Sequence, residues 1–260
     1  HIPVILPLFP NQAFFKRPGL SKLSTVYNTN MPAKNSIKEY RENAYYHIYN
    51  RGVEKRSIFI DEQDYAVFIS YLKNYLLVKD GDFLQDTISD PMSTPKQKSD
   101  ALRLLKLNNF HNIVSLIAYC QMTNHFHFLL KQKPTWGMDS FMNSLMTRYT
   151  MYFNKKYKRV GHLFQGKYKA VLVRTEEQLL HLTRYIHCNS GSKGLAFQSY
   201  PHSSYLQYIS DKHVDWVNPE EILGYFTKTG YNSYASFVGD NNGYDSMMFI
   251  KGLTLSEDMQ

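Results

Sequence analysis

Met122-Thr123-Asn124-His125-Phe126-His127-Phe128-Leu129-Leu130 decides how this chain reads. Side chains alternate along a strand, so a strand beginning at His125 turns His125 and His127 to one face and Phe126 and Phe128 into the opposite layer. Upstream, Ile113 to Met122 is apolar and long enough for a central strand. Thr123-Asn124 supplies the tight break that makes the two strands antiparallel neighbours. Two imidazoles held side by side on one face form a clamp for a divalent metal ion.

A second stretch, Arg184-Tyr185-Ile186-His187-Cys188-Asn189, ends a segment with helical character that starts at Glu176. Glu176 and Glu177 suit the positive end of a helix dipole, and Gly191 and Gly194 follow as stop signals. Residues four apart share a helix face, so the Tyr185 hydroxyl and the Asn189 carboxamide project together, a nucleophile beside an oxygen ligand. His162, His181 and His187 are rival metal ligands. His181 shares the face of Tyr185 one turn away, and His187 lies on another.

Two more pieces stand in order with these: Tyr49-Asn50-Arg51-Gly52 before the histidine pair, and Gly161-His162-Leu163-Phe164-Gln165-Gly166 after it. The set resembles the HUH (His-hydrophobic-His) single-tyrosine transposases. Within them it is similar to the REP-associated tyrosine transposases, an IS200-like group, over residues 34 to 206. The resemblance implies an α+β fold: a ferredoxin-like antiparallel sheet with the histidine strand central, helices on one face and a tyrosine-bearing helix over the metal site. It implies Tyr185 as catalytic nucleophile, His125, His127 and Asn189 as metal ligands, and Mg²⁺ or Mn²⁺ as cofactor. Single-stranded DNA beside a hairpin from an imperfect palindrome is the implied partner, with Arg51 a DNA contact and a monomer favoured over a homodimer. Two positions depart from the family's usual pattern. Lys167 stands where arginine is usual after the second glycine, keeping charge but losing the bidentate fork. Ser190 stands where proline usually follows the asparagine.

A tyrosine hydroxyl has a pKa near ~10 and is a weak nucleophile at neutral pH without help. A cation on the histidines would hold a nonbridging phosphate oxygen and neutralise charge during attack. Imidazole suits Mn²⁺ or Zn²⁺ better than Mg²⁺, so the residues leave the metal open. No phosphate-cradling P-loop is present, and no nucleotide cofactor is expected.

Charge locates the partner. The chain of 260 residues carries a formal +8, from 30 basic and 22 acidic residues. Eight of the basic residues, Arg148, Lys155, Lys156, Lys158, Arg159, Lys167, Lys169 and Arg174, fall between 148 and 174, where no acidic residue occurs. Concentrated positive charge attracts phosphate, so a polyanion is expected to meet this segment. Aromatic residues among the basic ones, Phe164 included, suit stacking of unpaired bases. His162, Phe164 and Gln165, in the glycine-bounded loop, join the candidate DNA contacts.

With 43% hydrophobic and 20% charged residues the composition is globular, and no apolar run approaches the ~20 residues of a membrane span. Two cysteines, Cys120 and Cys188, are too few for a disulfide framework and fit a cytoplasmic protein.

Residues 1–30 read as an upstream or vector-derived segment, 31–206 as the catalytic domain, and 207–260 as a C-terminal helical appendage with disordered final residues. Asp61 to Leu77 and the stretch from Met138 to Phe153 carry helical stripes. Residues 78–110 are a variable insertion: the polar part to residue 100, with Gly81, Pro91 and Pro95, reads as a loop, and Leu102 to Leu107 as a short helix. Two other functions fit the same surface, a non-catalytic DNA-binding regulator and an RNA-binding module. A binder of either kind would not need His125, His127, Tyr185 and Asn189 together.

Overall fold

The structure is a computed structural model that describes residues 38–190, 197–211, 213–227, 232–240 and 248–253. The expectations for residues 1–30 and for the final residues lie outside the described residues. Four strands build one sheet: β1 (Ala44–Arg51), β2 (Val114–Met122), β3 (His125–Gln132) and β4 (Lys169–Leu172). Their order is β2-β3-β1-β4, every neighbour antiparallel. This is the ferredoxin-like arrangement, and the histidine strand is central. Thr123 and Asn124 make the two-residue turn between β2 and β3.

The first sheet face is covered by α1 (Glu62–Leu76) and α4 (Gly137–Lys156). Phe126 and Phe128 of β3 enter this layer with Phe68 and Leu72 of α1 and Phe141, Leu145 and Tyr149 of α4, all buried. The start of α1 is fixed by a capping box between Asp61 and Asp64. Asp64 is fully buried, and Lys156, Tyr152 and Tyr157 all donate hydrogen bonds to its carboxylate, so α4 is bolted to the cap of α1. These donors hold its carboxyl below the usual range against the opposing effect of burial.

Residues 78–100 depart from the loop expectation. They form α2 (Gly81–Ser89) and the start of α3 (Pro95–Lys106), packed on each other as a hairpin. Two of the three presumed breakers are helix starters. Gly81 and Pro95 each open a helix, behind Asp80 and Thr94, whose side chains accept backbone N–H groups at the caps.

The second sheet face is covered by α5 (Glu176–Cys188), capped by Thr175. Leu179, Leu182 and Ile186 press onto Ile117, Ala118 and Leu129 of the sheet. Three short helices, α6 (Tyr205–Ile209), α7 (Glu220–Leu223) and α8 (Tyr234–Gly239), enclose the same cluster through Tyr205, Tyr208, Ile222, Tyr234 and Val238. Ile250 and Leu253 complete it, so part of the chain after residue 206 belongs to this second core, while Trp216 and Val217 join the first. Among the described residues, no helix is long and apolar enough to cross a membrane.

Candidate active site

Strand register assembles the site on the face beneath α5. Tyr49 pairs with His127 and Arg51 with His125, which puts His47, Tyr49 and Arg51 of β1 beside the two histidines of β3. The His125 and His127 rings are 5.0 Å apart and nearly perpendicular. From α5, Tyr185 brings its ring to 5.4 Å from that of His127, edge to face. One turn on, at the C-cap of α5, Asn189 places Oδ1 3.3 Å from Nε2 of His125. The four residues singled out in the sequence thus converge, Tyr185 and Asn189 by their helical spacing and the histidines by their strand spacing.

The donor chemistry suits a cation. Nδ1 of His125 lies 2.7 Å from Oδ1 of Asn124, an acceptor, so in neutral His125 the ring proton sits on Nδ1 and a lone pair on Nε2 faces the Asn189 oxygen. Two acceptors turned toward one another are reconciled by a positive ion. His127 is buried, and among the described residues its Nε2 has no hydrogen-bond partner. Burial first, then the neighbouring imidazoles, pushes its pKa well down, which keeps the nitrogen available as a ligand. Among the described residues no group of three or more His, Cys, Asp or Glu is placed to hold a metal. A cation here therefore depends on the Asn189 carboxamide as its third donor.

The rival histidines are directed elsewhere. His187 is buried between the Tyr234 hydroxyl and Ser204 Oγ, within the second core. His181 stacks on Phe249, and His162 is exposed on the loop after α4.

The basic and aromatic candidates separate into two groups. Phe164 is a core residue, its ring edge-on to Phe126. Arg148 lays its guanidinium over Tyr71 of α1, and Lys156 is spent on Asp61 and Asp64. These three hold elements together. Lys155, Lys158, Lys167 and Arg174 are exposed, Lys169 is half-buried on β4 opposite Tyr49, and Arg159 braces Asn154. Arg51 contacts Gln165 through its Nε, 2.5 Å away, while its carbonyl accepts the Gln165 N–H. The loop 161–166 is thereby stitched to the end of β1, and a bridge between Gly52 and Phe164 continues the pairing. Gly52 is required there, since a Cβ would meet the Arg56 carbonyl at 2.2 Å.

Sequence reading missed His47. It is fully buried on β1, with Nε2 2.9 Å from Nδ1 of His127 and Nδ1 2.8 Å from the Leu253 carbonyl. Burial lowers its pKa to about 4. Only strand register and the path of the distant C-terminal segment reveal it.

Part of the chain is similar to known proteins. The family model described as "Transposase IS200 like" matches residues 95–189. No curated protein matches the chain. Among solved structures, the chain is similar to a REP-associated tyrosine transposase bound to a REP hairpin, at 13% identity and TM-score 0.45, covering 76% of this chain and 94% of that one. It is also similar to a candidate transposase from Deinococcus radiodurans R1, at 14% identity and TM-score 0.31, covering 57% and 92%. The match of residues 95–189 spans α3 through α5 and includes His125, His127, Tyr185 and Asn189, so this stretch of the chain is similar to the IS200-like transposase family.

Proposed function

We propose that this protein is a metal-dependent single-stranded DNA endonuclease and strand transferase, working through a 5′-phosphotyrosine link beside palindromic hairpin DNA. The meeting of Tyr185 with the histidine pair, 5.4 Å between the Tyr185 and His127 rings, carries the reading. His125, His127 and Asn189 would hold Mg²⁺ or Mn²⁺, which when bound supplies positive charge to the scissile phosphate. The Tyr185 oxygen attacks phosphorus and gives its proton to solvent. A bond from that oxygen to phosphorus forms as the bond to the 3′ oxygen breaks, and the departing oxygen takes up a proton. The DNA 5′ end stays on the protein as a phosphodiester, and a 3′-hydroxyl from the same or another strand reverses the step to rejoin DNA.

Arg51, Gln165, His162, Lys155, Lys158, Arg159, Lys167, Lys169 and Arg174 form the surface proposed to bind the phosphate backbone. Arg148, Lys156 and Phe164 support it from within. A single chain provides every member of the proposed site, which favours a monomer. The free thiols of Cys120 and Cys188 suit the cytoplasm.

The test incubates the protein with Mn²⁺ or Mg²⁺ and a labelled single-stranded hairpin. A denaturation-resistant protein–DNA adduct is expected, absent in Tyr185→Phe. An adduct unchanged in that variant would move the chemistry to another residue. Hairpin binding with no adduct in the wild type would make the protein a DNA-binding regulator.

A further inference from the structure

The neighbourhood of His127 contains a chain of contacts that the proposed reaction does not itself use. The Leu253 carbonyl can only accept, so His47 Nδ1, 2.8 Å away, carries a proton. His47 is fully buried, and among the described residues no carboxylate pairs with it, so a single ring proton is expected and Nε2 is left as a lone pair. That lone pair lies 2.9 Å from Nδ1 of His127, so His127 is the donor and its own single proton sits on Nδ1. Its Nε2 is then a bare acceptor, the same atom that is buried without a partner among the described residues. The two rings stack at 5.1 Å with 18° between planes, and both stand edge-on to Tyr185.

We infer that His47 is a positioning residue: anchored by the Leu253 carbonyl, it fixes the tautomer and tilt of His127 so that Nε2 is presented as a ready metal ligand. The inference rests on the reading of His127 as a ligand and deepens it. The segment that carries Leu253 thereby becomes part of the site's construction. Ligating histidines are commonly oriented through their second ring nitrogen, and loss of such a partner typically weakens metal affinity by ~10–100-fold. Here the partner is another histidine, oriented in its turn by the backbone.

The experiment uses the full metal-free chain labelled with ¹⁵N, and long-range ¹H–¹⁵N spectra of its imidazoles. His47 and His127 are both expected as Nδ1–H tautomers, with Nε2 shifts typical of a bare nitrogen. In His47→Phe, His127 is expected to redistribute toward the Nε2–H tautomer, and calorimetric Mn²⁺ affinity to fall ~10–100-fold. His47→Gln, whose side-chain oxygen can accept the Nδ1 proton, is expected to recover most of that affinity. Wild-type His127 found as the Nε2–H tautomer would overturn the inference. So would a folded His47→Phe that binds Mn²⁺ like the wild type. Failure of the wild type to bind Mn²⁺ would instead overturn the ligand reading, while the tautomer spectrum still decides the role of His47.

Discussion

Asn189 is the residue on which the metal proposal turns, because two imidazoles alone form a weak site for a hard cation. Its carboxamide oxygen opposite His125 Nε2 is the geometry a third donor needs. Asn189→Ala is expected to weaken Mn²⁺ binding at least tenfold and to slow adduct formation in parallel. Asn189→Asp adds a formal negative charge to the donor set and is expected to tighten binding. Titration calorimetry on both variants checks the pair, and equal affinities in wild type and Asn189→Ala would remove Asn189 from the ligand set. The same scale shows what local pattern can and cannot reveal. His125 and His127 were legible because two residues is the repeat of a strand, and Tyr185 with Asn189 because four residues is nearly the repeat of a helix. His47 was not, since its partners are a strand neighbour set by register and a carbonyl at Leu253. Lys156 and Arg148 read as a phosphate-binding surface because their partners, Asp61 at the cap of α1 and Asp64 and Tyr71 on it, lie far away in sequence.

At the scale of elements, α5 is the positioning device, and its apolar side fixes where its tyrosine points. Ile186 is fully buried in the second core, one residue from Tyr185. Ile186→Ala is expected to cost ~2–4 kcal/mol of stability. It should also lower the rate of adduct formation beyond the loss of folded protein, because the helix settles differently over the histidines. Denaturant titration and single-turnover kinetics on the folded fraction separate the two effects. The α2–α3 hairpin should behave in the opposite way. Its flanks are already joined beneath it: Asn109 donates to the Leu77 carbonyl, and the Phe110 N–H to that of Tyr75. α2 buries no residue and α3 only Ala101. Replacing residues 80–106 with a short Gly/Ser linker is therefore expected to change stability by no more than ~1–2 kcal/mol and to leave Tyr185 adduct formation intact. A collapse of folding would show that the hairpin supports the sheet. The sequence reading caught only the short helix at Leu102 to Leu107; the helicity of residues 81–100 escaped it because polar composition hides short capped helices that pack chiefly on each other.

At the scale of the whole molecule, the second core carries an acid liability. It and the adjoining site enclose three neutral histidines, His47, His127 and His187, all fully or almost fully buried. Burial lowers the pKa of His47 to about 4 and of His187 to about 3, and it drives that of His127 well down. In the unfolded chain each returns to ~6.5. Between that value and the folded pKa, the unfolded state binds protons that the metal-free folded state does not, so stability is complete above pH ~6.5 and falls as pH drops. Each group contributes ~1.4 kcal/mol per pH unit in that window, and three together reach ~4 kcal/mol per unit near pH 5. Against a typical domain stability of ~5–15 kcal/mol, this predicts unfolding before Asp64 and Asp139, whose carboxyls are held low by their donors, begin to lose their partners. Glu221, lifted by burial, opposes the trend by less than one proton. Denaturant titrations of metal-free protein at stepped pH give the proton uptake directly. Two to three protons taken up on unfolding between pH 6 and 5 is the expected result. An uptake near zero would mean that these imidazoles are charged or solvated in the folded protein, which would also undo the tautomer chain through His47. Saturating Mn²⁺ should raise stability across the profile without flattening its slope if the ligand reading holds, because a bound cation stabilises only the folded state, in which His127 stays unprotonated.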